Sequence, residues 1–212
     1  MTVPYPESPA RRDEWILERR GPRNRLDPAV AASFLFEEEP DESGAPVSIA
    51  AVFLTNRECP WRCLMCDLWQ NTLPGDTPPG AVAGQIRAAI AALPAARWIK
   101  LYNAGSFFDP RAIPAEETEA IEEELAGFER VIVESHPALI GERCADFARR
   151  LPGRLEVAMG LETIHPEILP RLNKRMSPEQ FREAAEFLRA RRIAMRAFVL
   201  VGLPWLEPRE AA

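Results

Sequence analysis

From Val47 onward the chain alternates short strand-like apolar runs with segments of helical periodicity, and that alternation is the pattern of an α/β domain built on a parallel sheet. Strands are expected at 47–56, 98–106, 130–136, 154–162 and 194–201, with four helices between them. The sharpest helix runs over 178–191. Ser177 is a good N-cap, Pro178 suits the first turn and Gln180 completes a capping box, while Phe181, Ala184, Ala185 and Leu188 form one apolar stripe. A helix near 115–127 opens on Glu116 and Glu117, which favour the positive end of its dipole, repeats Ile121, Leu125 and Phe128, and stops near Gly127. In the helix near 141–151, Cys144 falls at helical spacing with Ile140, Phe147 and Leu151, which reads as a small core residue.

The fourth of these strands sorts its side chains by face. Leu155, Val157, Met159 and Leu161 point one way, toward helices; Glu156, Ala158, Gly160 and Glu162 point the other. That second face is small and polar, where a filled barrel would carry bulky branched residues, so a cavity inside a curved sheet is expected. Residues 1–46 read as an N-terminal extension with a helix near Arg11 to Arg19, a segment Ala31 to Phe36 and an acidic turn from Glu37 to Ser43. The chain ends at Glu210-Ala211-Ala212, in what reads as the first turn of the helix after the fifth strand, so residues 47–212 are expected to form a barrel truncated after that strand.

Composition narrows the function classes. With 212 residues, 47% of them apolar, a sizeable core is expected, and no apolar run approaches the roughly 18 residues of a membrane span. The first twelve residues lack the apolar core of a secretory signal, which points to the cytoplasm. Three of the four cysteines crowd into eight positions, which suits reduced thiols rather than a disulfide framework. The net charge of −6 gives no global attraction to nucleic acid. Arg11, Arg12, Arg19, Arg20, Arg23 and Arg25 form a local basic stretch, but interspersed acids make a solvated face the expectation over an RNA contact.

The chemistry concentrates in Cys59-Pro60-Trp61-Arg62-Cys63-Leu64-Met65-Cys66, directly after the first expected strand. Three thiolates at C-x3-C-x2-C spacing can hold three irons of a cubane cluster and leave the fourth iron open to a ligand. Zinc normally takes four protein ligands, and Cys144, His136 and His165 all lie far away in sequence. A redox disulfide between Cys63 and Cys66 is the other alternative, made less attractive by Cys59 and the flanking aromatics.

The cysteine loop and the stretches that follow it resemble the radical S-adenosylmethionine superfamily. Within it they are similar to the branch of the elongator catalytic subunit, oxygen-independent coproporphyrinogen dehydrogenase and the radical subunit of archaeal archaeosine synthase. The likeness rests on Phe53 to Glu58 with the cysteines, Cys66-Asp67-Leu68-Trp69, Tyr102 to Asp109, Val133-Glu134-Ser135-His136-Pro137, Gly160-Leu161-Glu162-Thr163 and Val201-Gly202-Leu203-Pro204. It implies a partial (βα) TIM-type barrel of parallel strands and an enzyme that generates a 5'-deoxyadenosyl radical from S-adenosylmethionine with a 4Fe-4S cluster.

By the same resemblance Cys59, Cys63 and Cys66 ligate the cluster, and Met65 packs near the adenine. Asn103, Gly105 and Ser106 receive the methionine amino group, with Ala-Gly-Ser standing where Gly-Gly-Glu is usual. Glu134 and Glu162, at strand ends, supply polar contacts to the ribose and methionyl end, the alternative being helix-cap or surface carboxylates. Arg196 should meet either a cofactor carboxylate or Glu162. The branch also places a cation after the fourth strand, at Lys174 or Arg175, while His136 faces substrate or serves as a turn residue. The implied partners are an external electron donor of flavodoxin or ferredoxin type and, from the likeness to archaeosine-type proteins, transfer RNA. The acidic balance keeps a small metabolite open as substrate, and the truncated end keeps open a non-catalytic remnant that binds a metal.

Overall fold

The computed structural model describes residues 4–103 and 105–206. After helix α1 (Pro9–Glu18), six strands alternate with helices: β1 (Ser33–Pro40), β2 (Pro46–Leu54), α2 (Ala81–Ala92), β3 (Trp98–Asn103), α3 (Thr118–Leu125), β4 (Arg130–Glu134), α4 (Glu142–Arg150), β5 (Arg154–Glu162), the short α5 (Ile168–Arg171), α6 (Pro178–Ala190) and β6 (Ala194–Val199). The strands form one sheet in the order β1-β2-β3-β4-β5-β6, and every pair from β2 onward is parallel. Each expected strand is present, the one at 154–162 with the expected bounds and the other four ending two or three residues earlier. The expected helix beginning at Glu210 lies outside the described residues.

One face of the sheet packs under the helices. Val52, Ile99, Leu101, Val131, Val133, Val157 and Met159 meet Ile86 of α2, Ile121 and Leu125 of α3, Phe147 of α4 and Leu188 of α6 in one buried cluster. Cys144 belongs to that cluster, fully buried, and burial pushes its thiol up to about 12. The capping box of α6 is present in both halves, Ser177 accepting from the Gln180 amide and the Gln180 side chain accepting from the Ser177 amide.

Three local readings need correction. The segment from Ala31 and the acidic run after it form strand β1, which pairs antiparallel with β2 from Ser33↔Phe53 to Pro40↔Pro46 and adds a sixth strand to the five expected. The turn lies beyond it at 41–45, where the Asp41 carboxylate accepts from Ser43 and Ala45 and Gly44 takes φ +85°. Glu117 does not serve its own helix. It is buried and accepts from the amides of Val82 and Ala83, capping α2, whose N-cap Gly80 has no side chain to offer. The basic stretch is not uniformly a solvated face either: Arg12 is buried and donates to the carbonyls of Pro6 and Pro170, and Arg20 and Arg23 turn inward to Glu58.

The concave face carries the residues of opposite parity. At the end where the parallel strands begin, it is closed by apolar Val47, Ile49, Trp98 and Ile132 and by an ion network. Lys100 of β3 is buried and bonds Glu37 (2.6 Å) and Glu39; Arg196 of β6 bonds Glu39 (3.0 Å) and Glu156 (2.8 Å); Arg130 bonds Glu156 (3.1 Å) and Glu42. Glu39 thus ties the two edge strands of the open sheet to each other through Arg196.

Candidate functional site

At the opposite end, where β2 to β5 terminate, the loops enclose a cavity of about 200 Å³. Cys59, Cys63 and Cys66 line it from the loop after β2, Gly105 and Ser106 from the loop after β3, Glu134 and His136 from the end of β4, and Gly160 and Glu162 from β5. Lys174 and Phe198 complete it. Residues that lie more than a hundred positions apart therefore converge because each follows a parallel strand, whose C-terminal end opens on the same rim.

The cysteine loop has little regular structure, so its shape is set by pins from outside. Asn173 donates to the Arg62 carbonyl (2.8 Å) and to Asp13 of α1 (2.7 Å), the Leu64 amide donates to the Leu172 carbonyl (2.9 Å), and Arg62 donates to the Cys59 carbonyl (2.6 Å). Glu58, immediately before Cys59, is buried and receives Arg20 (2.7 Å), Arg62 (3.0 Å) and Arg23. Trp61 stacks on His136, with ring centroids 3.7 Å apart and planes 10° from parallel. His136 in turn has both ring nitrogens engaged. Nδ1 accepts from the Ala138 amide (3.1 Å), which leaves the proton on Nε2 to donate to the Lys174 carbonyl (3.1 Å). Burial pulls its pKa down to about 4, against the Lys174 carbonyl and with the Lys174 charge, so the ring is neutral at physiological pH. It is both a pocket residue and the cap of the turn at Pro137–Leu139.

The carboxylates separate by role. Glu162 has φ +64°, next to an irregularity in the β5–β6 register, and bonds Lys174 at 2.5 Å inside the cavity. Gly160 leaves room for the pair, because a Cβ there would displace Glu162 Oε1 and Lys174 Nζ from their present positions. Of the two cations considered, Lys174 is in the cavity and Arg175 pairs with Asp13 at 2.6 Å. Arg196 does meet carboxylates, but not Glu162: its side chain is one layer nearer the strand starts, where Glu39 and Glu156 hold it. Burial lowers its pKa, and those two partners more than offset this to leave it raised. Ser106 is buried, with its oxygen accepting from the His136 amide (2.9 Å) and its O–H left to donate. Met65 stands 38% exposed and is not among the cavity's lining residues. Asn103 ends β3, with its side chain outside the described set, as is Ala104.

The donor set tests which metal group these residues fit. All three thiols are free and half-buried, and burial raises their pKa, Cys59 to about 11, Cys63 to about 12 and Cys66 in the same direction. A metal cation is what would hold them as thiolates. Among the described residues, no group of three or more His, Cys, Asp or Glu side chains converges on a point as one metal ion requires. Cys144 lies in the core under the opposite face of the sheet, and both nitrogens of His136 are engaged, so neither supplies a fourth ligand for zinc. Three thiols lining one cavity are the donor number that a cluster with one open iron takes. The described residues contain no helix long and apolar enough to cross a membrane. Sequence reading missed the Trp61–His136 stack, which pairs a residue of the cysteine loop with one far along the chain at no spacing a motif search could use.

The family model for the Radical SAM superfamily matches residues 53–210. An uncharacterised protein of Methanocaldococcus jannaschii is 29% identical over 118 residues, 53% of this chain and 32% of that protein. The chain thus spans about a third of the curated relative it matches. Among solved structures, Elp3 of the archaeon Methanocaldococcus infernus, with an N-terminal deletion, aligns at TM-score 0.47 and 18% identity over 59% of this chain and 35% of that one. The cobalamin-dependent S-adenosylmethionine radical enzyme OxsB with aqua-cobalamin bound aligns at 0.49 and 17% over 82% and 31%.

Proposed function

We propose, starting from the fact that the chain belongs to the radical SAM superfamily, that it is an enzyme whose Cys59, Cys63 and Cys66 hold a 4Fe-4S cluster and whose strand-end residues hold S-adenosylmethionine. The observation that carries this reading is the convergence of the three cysteines with Gly105, Ser106, Glu134, Glu162 and Lys174 on one cavity. Bound there, the two groups would supply one-electron reductive cleavage of a sulfur–carbon bond and hydrogen abstraction from substrate.

The chain's own residues bind and orient. Ser106 presents a hydroxyl and Gly105 open backbone to the polar end of the ligand, Glu134 and Glu162 accept from hydroxyl or ammonium groups, and Lys174 offers a cation once Glu162 shares it. The His136 ring holds the loop through its stack on Trp61 and its two hydrogen bonds. Reducing power comes from an external flavodoxin or ferredoxin type donor in the cytoplasm, and the substrate is a base of transfer RNA, of the archaeosine type.

Anaerobic purification followed by assay of iron, sulfide and 5'-deoxyadenosine tests the reading. About four irons per chain with nucleoside product is expected, and Cys→Ser at position 59, 63 or 66 should remove both. Stoichiometric zinc without iron would sink it, and iron without product would leave a metal-binding module. For the RNA substrate, salt-sensitive binding of transfer RNA is expected, and its absence counts against that part alone.

A further inference from the structure

We propose that Asp13, in helix α1 of the N-terminal extension, is a positioning residue for the cavity: it grips the residues on both sides of Lys174 and so holds that lysine's ammonium inside the site. The identity of the ligand as S-adenosylmethionine rests on the function proposed above; the placement of Lys174 does not.

Lys174 reaches the cavity from a strained stretch of backbone, between Asn173 at φ +58° and Arg175 at φ +56°. Asparagine tolerates that left-handed region, but an arginine keeps it only where the surrounding contacts impose it. Asp13 supplies contacts to both from 160 positions away. Its Oδ1 accepts from the Asn173 side-chain amide at 2.7 Å and its Oδ2 from the Arg175 guanidinium at 2.6 Å. Arg175 also donates to the Pro9 carbonyl (3.1 Å), and the Asn173 amide donates to the Arg62 carbonyl in the cysteine loop (2.8 Å). Between these two anchored residues the Lys174 carbonyl accepts from His136 (3.1 Å), and its ammonium bonds Glu162 (2.5 Å).

The helix that carries Asp13 is docked by other residues. Arg12 donates to the Pro170 carbonyl (2.7 Å), the Tyr5 hydroxyl donates to the Arg171 carbonyl (2.7 Å), both at the C-terminal end of α5, and Ile16 is buried. Removing the Asp13 carboxylate therefore leaves α1 in place. The Asp13 and Arg175 side chains are 35% and 41% exposed, and an ion pair of that exposure adds little to global stability. Its consequence is local. Without the carboxylate, Arg175 loses the partner that offsets its unfavourable φ, and relaxation of that residue draws the Lys174 ammonium away from Glu162.

The sequence contains two lysines, Lys100 and Lys174, so acetylation by acetic anhydride followed by mass spectrometry reads the site directly. Lys100, buried in the ion network at the other end of the sheet, is the internal control. In Asp13→Ala, acetylation of Lys174 should accelerate at least tenfold while Lys100 stays slow and Tm stays within a few degrees of wild type. S-adenosylmethionine affinity, by calorimetry on the anaerobically purified chain, should fall about tenfold, or about 1.4 kcal/mol. Asp13→Asn keeps the acceptor for Asn173 and loses the charge facing Arg175, so it should fall between wild type and Asp13→Ala on both readouts. Lys174 acetylation unchanged by Asp13→Ala would overturn the proposal. So would parallel acceleration at Lys100, which marks general loosening, or wild-type affinity in a variant whose Lys174 has become reactive. Site-specific acetylation in a chain that takes up no iron and makes no 5'-deoxyadenosine keeps the positioning role and sinks the radical reading. Production of 5'-deoxyadenosine by a chain whose Lys174 is indifferent to Asp13→Ala does the reverse.

Discussion

Glu58 is the perturbation with the most calculable effect. Its carboxylate is only 9% exposed and receives three guanidiniums, from Arg20 and Arg23 in the segment after α1 and from Arg62 in the cysteine loop. Burial acts to raise its pKa, but the hydrogen bonds from Arg23 and Arg20 and the charge of Arg62 outweigh burial and hold the carboxyl below the usual range. Glu58→Gln keeps the shape and removes the charge, leaving guanidiniums buried to different degrees without their partner. Breaking a buried pair from one side costs about 3–5 kcal/mol, and the partial exposure of Arg23 and Arg62 argues for the lower end, about 3. For a chain of this size that is a fall in Tm of roughly 6–12 °C.

The sign with pH follows from the depressed folded-state value. The contribution is fully present above the unfolded glutamate pKa, about 4.3, and is lost as pH falls through the folded-state pKa. Wild type and Glu58→Gln should therefore differ at pH 7 and converge on acidification. The assay is thermal unfolding by circular dichroism across pH, with a double-mutant cycle against Arg20→Met. Coupling well beyond the roughly 0.5 kcal/mol of independent sites is expected. Additive losses, or a gap between wild type and Glu58→Gln that persists unchanged into acid, would refute the reasoning.

Three other outcomes can be checked. Gly160→Ala should fold with nearly unchanged Tm, because its Cβ displaces only the ends of Glu162 and Lys174, yet weaken S-adenosylmethionine at least tenfold by calorimetry; unchanged affinity would remove that pair from the ligand site. His136→Phe keeps a ring on Trp61 but loses both hydrogen bonds, whereas His136→Ala loses ring and bonds, so retention of iron under chelator challenge should rank wild type, Phe, Ala; equal retention would show that neither contact holds the loop. Cys144 should resist alkylation at pH 8 in the folded chain and react only on unfolding, by mass spectrometry; rapid native labelling would contradict its place in the core.

What the sequence made legible followed from periodicity and from fixed spacing. The parallel strands, the α6 capping box, the burial of Cys144 and the split of β5 into a helix face and a cavity face all depend on residues a few positions apart, where local geometry dictates the outcome. The cysteine motif was legible for the same reason. What was missed needs pairing across the chain. Strand β1 reads Ser-Phe-Leu-Phe-Glu-Glu-Glu-Pro, and three consecutive glutamates argue against a strand when each is judged by its own propensity. In register with β2, however, Glu37 and Glu39 fall on the concave face, where Lys100 and Arg196 neutralise them.

Lys100 alone in Trp-Ile-Lys-Leu-Tyr-Asn is equally anomalous as a buried residue, and so is a half-buried Arg196 in β6. Each becomes reasonable only beside the others, so the anomalies are one feature rather than three. The same holds at the other end of the barrel, where Glu162 at positive φ and Lys174 are individually unfavourable and jointly satisfied, and where Gly160 makes room for both. The difference between the two ends is then chemical. The lower network is closed by its own carboxylates and joins the edges of the open sheet, whereas the upper pair lines a cavity shared with three cysteines. A charged residue in a predicted strand is thus informative as a question about its partner: a protein partner marks architecture, and a partner beside an open cavity marks the site.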